Sequence, residues 1–417
     1  MNSIKKTDHF YLIDGSGYIF RAYYALPPLS RKSDGLPTGA VSGFCSMLFK
    51  LLEESRSDDS DNKPTHFAVI FDSARKNFRN DIYSEYKANR TEAPEDLVPQ
   101  FEYIRKSVKA FNLPSIELTN YEADDLIATY AKKIIEAGAK VTVISSDKDL
   151  MQLVSDNIRL YDPMKSKVLG EKEVIEKFGV KPNQVVDVQS LAGDSSDNVP
   201  GVPGIGIKTA SELINKYKTL DILLKKAEEI PQNKRRETLL ANKDKALLSR
   251  KLVTLKNDVP VKDDPNSFLL KEVQKEKLYD FLREMEFNKL LSRAIGFYGE
   301  TGNKKIKSAN PKMQSDTINV KGYESITNEK ELDKWLKILN EQSVIAVDTE
   351  TSSLNPLEAD LIGISFSYAP NKACYIPLAH KNIKGLKKEV VLKKIKPILE
   401  DPSIKKVGQN IKFDFLI

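Results

Sequence analysis

Three apolar segments constrain this chain most. FYLIDGS (10–16), HFAVIFD (66–72) and VTVISSDKD (141–149) each read as a buried strand running into an aspartate. Between them lie VSGFCSMLFKLLEES (41–55) and DDLIATYAKKIIEAG (124–138), whose apolar spacing is helical. Strands alternating with helices build a mostly parallel α/β sheet. Ligands of such sheets gather outside the carboxyl ends of the strands, where Asp14, Asp72 and Asp147 fall.

From about residue 170 the pattern becomes a series of short helices, with the glycines and prolines of 199–206 among them. The organisation expected is an α/β core over 1–170 with an excursion at about 73–115, then a helical subdomain over 171–300. The polar stretch 301–322 reads as a linker. A second α/β unit begins at 323, with ITNEKELDKWLKILNE as a helix, SVIAVDTE as a strand, and LIGISFSYA with ACYIPLA as a strand pair. It ends at GQNIKFDFLI with no closing turn, which reads as a truncation.

Two cysteines, Cys45 and Cys374, and three histidines make a disulfide framework and a thiolate or imidazole metal site poor fits, and a reducing cytoplasm suits them. No apolar run reaches membrane-spanning length, and the N-terminus lacks a signal-peptide pattern. Lys and Arg total 65 against 59 acids, a balance compatible with nucleic-acid binding but weak on its own.

The acids carry more information. Asp14 and Asp72 end strands, Glu122, Asp124 and Asp125 surround the start of a helix, and Asp147 and Asp149 follow the third strand. Asp194 and Asp197 are three residues apart and share a face of a helical turn. One such aspartate alone is ordinarily a turn or helix cap. Together, these like charges need cations to neutralise them, and oxygen ligands point to Mg²⁺ or Mn²⁺, two or more ions. Paired ions suit phosphodiester hydrolysis: one lowers the pKa of the attacking water and the other steadies the leaving oxygen.

Residues 75–90, RKNFRNDIYSEYKANR, interleave Arg75, Lys76, Arg79, Lys87 and Arg90 with Phe78, Tyr83 and Tyr86. Bases for phosphates and aromatics for stacking suit a lid over a single strand, and a solvated helix with tyrosines on a core is the competing interpretation. VPGVPGIGIKTA places Gly201, Gly204 and Gly206 in a bend before Lys208. It fits neither phosphate-loop spacing nor a dinucleotide fingerprint. A hairpin between short helices, gripping duplex backbone through free amides, fits better than a plain linker.

FYLIDGSGYIFRAYYA, AVIFD, NFRNDIYSEYKANR, YEADDLIAT, ISSDKDLMQLV and LAGDSSDNVPGVPGIGIKTA resemble, in order and spacing, the 5′ nuclease or flap endonuclease domain of bacterial family A DNA polymerases. The resemblance covers about 290 residues. It implies a PIN/FEN-like sheet with a helical arch and a helix–hairpin–helix. It places all nine acids above on metal positions, Lys87 and Arg79 on the scissile phosphate, and K⁺ at the hairpin. VIAVDTETSSLNPLEADLIGISFSYAPNKACYIPLAHK and KKVGQNIKFD resemble the opening of a DEDD-type 3′–5′ exonuclease of RNase H-like fold. That implies metal ligands at Asp348, Glu350 and Asp414, with a fourth acid and a tyrosine beyond residue 417.

The function expected is therefore a monomeric, metal-dependent 5′ nuclease of the bacterial cytoplasm and nucleoid. Its substrates would be DNA with a 5′ flap, a nick or an RNA primer, and a polymerase domain would belong only to a full-length relative. Two other readings compete. A non-catalytic nucleic-acid-binding module would be indifferent to chelators, and a PIN-like ribonuclease would spare a DNA flap.

Overall fold

The computed structural model describes residues 4–26, 28–57, 63–163, 165–300, 323–353, 355–356, 358–379, 385–409 and 411–417. The expected linker, 301–322, lies outside the described residues. The chain divides into two units, Met1–Gly302 and Asn303–Ile417.

The first unit opens with β1 (His9–Asp14), α1 (Gly15–Ala25), α2 (Gly39–Ser57), β2 (His66–Ile70), α3 (Phe78–Ile82), α4 (Gln100–Ala110) and β3 (Ser115–Ile116). It continues through α5 (Ala123–Glu136), β4 (Lys140–Ile144), β5 (Ile158–Asp162) and β6 (Lys167–Leu169). The strands form one sheet in the order β3-β2-β1-β4-β5-β6. Every pair is parallel except β5 and β6. Strand periodicity sorts the core into two layers. Phe10, Leu12, Val141 and Val143 face α5 through Leu126, Ile127 and Tyr130. Ile13, Phe67, Val69 and Ile144 face α2 through Phe44, Leu48 and Phe49. Helices on both faces explain why β2 is buried along its whole length.

The helices that follow are α6 (Glu171–Phe178), α7 (Val185–Ala192), α8 (Ile207–Tyr217), α9 (Leu220–Lys225), α10 (Asn233–Ala241), α11 (Lys243–Val253), α12 (Lys275–Glu284) and α13 (Asn288–Tyr298). The last two pack away from their sequence neighbours: Leu278, Tyr279, Leu282 and Ala294 join the layer built by α2. Residues 275–298 thus belong physically to the sheet core, although their short-helix pattern resembles that of 171–253.

The second unit contains β7 (Tyr323–Ser325), α14 (Glu329–Asn340), β8 (Val344–Thr351), β9 (Leu361–Ala369), β10 (Lys372–Pro377), α15 (Lys388–Glu400), β11 (Lys405–Val407) and α16 (Ile411–Asp414). Its sheet runs β11-β8-β9-β10-β7. The central β8–β9 and β9–β10 pairs are antiparallel, and the outer pairs are parallel. Trp335, Leu339, Val391 and Ile395 from its two longer helices close the core over Ile345, Val347 and Phe366. Among the described residues of the chain, no helix is long and apolar enough to cross a membrane.

Candidate active site

The chain order of the first sheet reverses between β1 and β4, the position where open α/β sheets hold their ligands. Asp14 stands at the end of β1 and also caps α1, accepting from Gly17 N–H (2.8 Å). Ser145 Oγ donates to Asp14 (2.9 Å) and accepts from Asp147 N–H (3.0 Å). Asp147 in turn accepts from Asp149 N–H (2.9 Å). Asp72, just after β2, accepts from Ala123 N–H (2.7 Å), while its own N–H donates to Ser16 Oγ (2.8 Å). Short polar links thereby fasten the acidic ends of β1, β2 and β4 to the starts of α1 and α5.

Asp194 and Asp197 arrive on a pinched loop. Asp194 and Val199 exchange backbone hydrogen bonds of 3.0 and 2.7 Å. Gly193 (φ +70°) and Gly201 (φ +59°) flank them, and a Cβ on Gly193 would lie 2.6 Å from the Val199 carbonyl oxygen. Only a residue without a side chain closes this loop without displacing backbone. Asp14, Asp147, Asp149, Asp194 and Asp197 then line one cleft of about 410 Å³.

Charge in this cleft is only partly compensated. Burial pushes Asp14 up to about 6 against the hydrogen bonds that favour its charged form, and Asp147 and Asp72 add repulsion. Burial raises Asp149 to about 7, with Asp147 the leading neighbouring charge. Asp124 is also raised, by burial and then by Asp147, Asp14 and Glu122. Asp72 is raised mainly by burial. Asp194 behaves oppositely: burial opposes ionisation, but Lys148 and the Ser196 N–H outweigh it and hold its carboxyl low. A set of buried oxygen donors repelling one another fits hard divalent cations. Among the described residues no three His, Cys, Asp or Glu side chains converge as a ready-made cage. Ions of this kind keep several waters and need few direct protein ligands.

Cations of the chain border the acids. Lys87 Nζ pairs with Glu122 and stands 3.5 Å from Asp197, and Arg90 pairs with Asp197. Their segment lies against the pinched loop: Lys87 N–H donates to Asp197 O (2.9 Å), Asn89 Nδ2 to Ser195 O (2.7 Å), and Asn198 Nδ2 to Glu85 O (2.6 Å). Arg75 and Lys76 are exposed, and Arg75 donates to the Arg90 carbonyl.

Six of the expected site residues are buried or half-buried and engaged within the protein. Arg79 is 1% exposed and makes a two-pronged pair with the fully buried Asp125, both contacts at 2.7 Å. Arg79 Nη1 also stands 3.5 Å from Glu122 Oε2. Its donors are spent on these carboxylates and on carbonyls, so none is free for a phosphate, and Asp125 offers no free oxygen. Tyr86 is 5% exposed, with its hydroxyl near Glu122 (3.2 Å) and Asp197 (3.3 Å), and cannot stack on a base. Gly201 is buried and its N–H already donates to Ser249 Oγ (2.9 Å). Phe78 and Tyr83 are half-buried, Phe78 against Tyr121 and Tyr83 against the cluster that includes Leu252.

The outer part of the hairpin is open. Gly204 (φ +76°), Gly206 and Lys208 are exposed, and no atom lies near a Cβ built on either glycine. Gly206 caps α8 without a side chain, which leaves the first amides of that helix bare. In the second unit, Asp348 and Glu350 are exposed and share one face of β8. Asp414 accepts from the N–H (2.9 Å) and Oγ1 (2.6 Å) of Thr349, the residue between them in sequence.

Sequence reasoning missed Arg21, Lys148 and Tyr18, all lining the cleft. Arg21 pairs with Asp162 (3.2 Å), and Lys148 with Asp194 (2.6 Å). Tyr18 Oη is buried with no hydrogen-bond partner among the described residues. Their helical position one and two turns after Asp14, or between two acids, was the only available signal.

Three family models match in succession: the 5′-3′ exonuclease N-terminal resolvase-like domain over 9–179, the 5′-3′ exonuclease C-terminal SAM fold over 180–276, and a 3′-5′ exonuclease over 323–417. A DNA polymerase I of Rhizobium leguminosarum is 42% identical, with 99% of this chain aligned to 48% of that protein. The chain spans about half the length of the first curated relatives it matches. A 5′-3′ exonuclease of Aquifex aeolicus is 38% identical across 71% of this chain and 98% of its own length. The fold is similar to that of a zinc-bound T5 5′-exonuclease, at TM-score 0.51 and 22% identity over 67% of this chain and 98% of that one. With the relative from Aquifex matched almost end to end, the chain belongs to the 5′–3′ exonuclease family, here followed by a segment that matches a 3′-5′ exonuclease model.

Proposed function

We propose that the first unit is a structure-selective 5′ nuclease. It hydrolyses phosphodiesters of DNA at a 5′ flap, a nick or the junction with an RNA primer, in primer removal and repair. The observation that carries this reading is the cleft at the β1/β4 reversal, where five aspartates meet a rim of Arg21, Arg90, Lys148 and Lys177. Acids alone would repel a phosphodiester. Acids beside bases, with room for hydrated cations, suit its hydrolysis.

The residues that would hold Mg²⁺ or Mn²⁺ are Asp14, Asp72, Glu122, Asp124, Asp147, Asp149, Asp194 and Asp197. Bound there, two ions supply Lewis-acid activation of water and stabilisation of the leaving oxygen. Divalent ions in the zinc-bound T5 5′-exonuclease support metal dependence. The chain's own groups do the rest. Lys87 and Arg90 exchange their carboxylate partners for the scissile phosphate, and Arg75 and Lys76 draw in the single strand. Gly204, Gly206 and Lys208 hold duplex backbone through bare amides, with K⁺ as a candidate bridge, and read no bases. In the second unit, Asp348, Glu350 and Asp414 are proposed as part of a 3′–5′ exonuclease site that needs a further acid. Action as a monomer on the nucleoid of a bacterial cytoplasm completes the proposal.

The test is cleavage of a 5′-labelled flap duplex with Mg²⁺, by the wild-type chain and by Asp147→Ala. Cleavage by the wild type and loss in the variant are expected. No cleavage by the wild type overturns the nuclease reading, and full activity of the variant overturns the role of Asp147.

A further inference from the structure

Arg79 is the most deeply buried arginine among the described residues of the first unit, and its donors are engaged within the protein. Its partners show what it joins. Nη1 and Nη2 clasp Asp125, near the start of α5. Nε donates to the Leu252 carbonyl (2.8 Å) and Nη2 to the Thr254 carbonyl (3.2 Å), both at the carboxyl end of α11. A guanidinium suits that end electrostatically, because helix carbonyls there lack intrahelical donors. Asp125 completes the joint by accepting from Lys256 N–H (2.8 Å) and Glu122 N–H (3.2 Å).

The segment 252–256 is tied to a second piece of the acidic cleft as well. Gln152 donates to the Val253 carbonyl (3.0 Å) and to the Asp149 carbonyl (2.9 Å), and accepts from Leu255 N–H (3.1 Å). The opposite bond of α11 matters equally. Ser249, fully buried on the same helix, accepts from the N–H of Gly201, the root of the glycine hairpin. One helix thus touches the duplex-gripping element with one residue and is clamped beside the acids a turn later.

We propose that Arg79 is a positioning residue: the buried joint through which α11 sets the distance between the hairpin and the acidic cleft. Asp125 serves this joint and not a metal ion. The consequence is register. A duplex held at Gly204–Lys208 presents a fixed nucleotide to the acids only while α11 is locked against α5. The proposal rests on the nuclease reading, and the wild-type chain is the control that separates them, since its failure to cut concerns that reading alone.

The experiment maps product lengths at single-nucleotide resolution on the 5′-labelled flap duplex under single-turnover conditions. Arg79→Lys, the double change Arg79→Met with Asp125→Leu, and Ser249→Ala are compared with the wild type. The double change replaces a buried pair with apolar groups, which cores accept without leaving a lone charge. Ser249→Ala removes only one hydroxyl. Each variant is expected to spread its cuts over neighbouring positions, and the Arg79 variants to lose about a hundredfold in the single-turnover rate at saturating enzyme, with the half-saturating enzyme concentration little changed. The dependence of duplex binding on salt, measured without divalent ions, is expected to keep its slope. Cutting confined to the wild-type position in Ser249→Ala and in whichever Arg79 variants fold overturns the proposal. So does a salt slope reduced by about one, because that is the mark of a lost phosphate contact.

Discussion

Lys148 Nζ lies 2.6 Å from Asp194 Oδ2, joining the loop after β4 to the pinched loop after α7 across the acidic cleft. The pair helps hold the Asp194 carboxyl low while burial raises Asp14, Asp124 and Asp149.

Replacing Lys148 by Met removes that cation and leaves Asp194 with the Ser196 N–H as its hydrogen-bond partner (2.8 Å). Because Lys148 is about one-third exposed, the stability lost is expected to be small, about 1 kcal/mol by urea unfolding. The functional effect should be larger and two-sided. Half-saturating Mg²⁺ should fall, since the cleft becomes more negative, and KM for a flap duplex should rise severalfold. A higher Mg²⁺ requirement would contradict this.

The raised acids make the ion-free protein sensitive to base. A carboxyl whose folded pKa lies above its unfolded value adds stability while it is protonated and loses it as pH rises through the folded value. For Asp14, at about 6, and Asp149, at about 7, that window runs from their ordinary value of 3.8 to about 7. In EDTA, Tm should therefore decline across this window on account of these groups. Mg²⁺ should raise Tm more at pH 8 than at pH 5, because binding to the folded state alone is stabilising and protons compete for the same oxygens. Calorimetry at the two pH values checks it.

Gly193→Ala should cost more than Gly204→Ala. Both glycines have positive φ, about 1–2 kcal/mol for a non-glycine residue. At Gly193 the new Cβ also meets the Val199 carbonyl oxygen at 2.6 Å, whereas at Gly204 it meets open space. Urea unfolding is expected to show the first as clearly less stable. Duplex binding is expected to weaken in the second with little loss of stability.

Lys87→Ala and Arg90→Ala should impair cleavage more than binding. Lys87 stands between Glu122 and Asp197, and Arg90 pairs with Asp197, at the rim where charge develops. A loss of about a hundredfold or more in single-turnover rate is expected. Arg75→Ala, at an exposed position, should mainly weaken single-strand binding and its salt dependence.

Much of this architecture was legible because it depends on local pattern. Apolar runs ending in Asp14, Asp72 and Asp147 needed only strand periodicity and the carboxyl-end rule to imply a shared sheet edge. The glycine run 201–206 likewise announced a turn between α7 and α8. Three things were not legible. The partner of Arg79 lies 46 residues away in sequence and two more acceptors lie 173 and 175 away, so only tertiary packing reveals that the guanidinium is consumed internally. Tyr86 belongs to a basic block that looks solvated, yet the dock of 85–90 onto 195–198 buries it. Helices α12 and α13 carry the same short-helix pattern as the subdomain before them, and amphipathicity does not say which layer an apolar face will cover.

The dock between 85–90 and the Asp194–Val199 loop also bears on how a substrate enters. Three hydrogen bonds tie the two segments together beside the acids: Lys87 N–H to Asp197 O between backbones, and Asn89 Nδ2 to Ser195 O and Asn198 Nδ2 to Glu85 O from side-chain amides. They form a latch whose strength does not depend on salt as an ion pair would. A strand arriving at the cleft can therefore displace Lys87 and Arg90 side chains from their carboxylates while the chain path beneath them stays fixed. Recognition at this edge is an exchange of partners on a stationary frame.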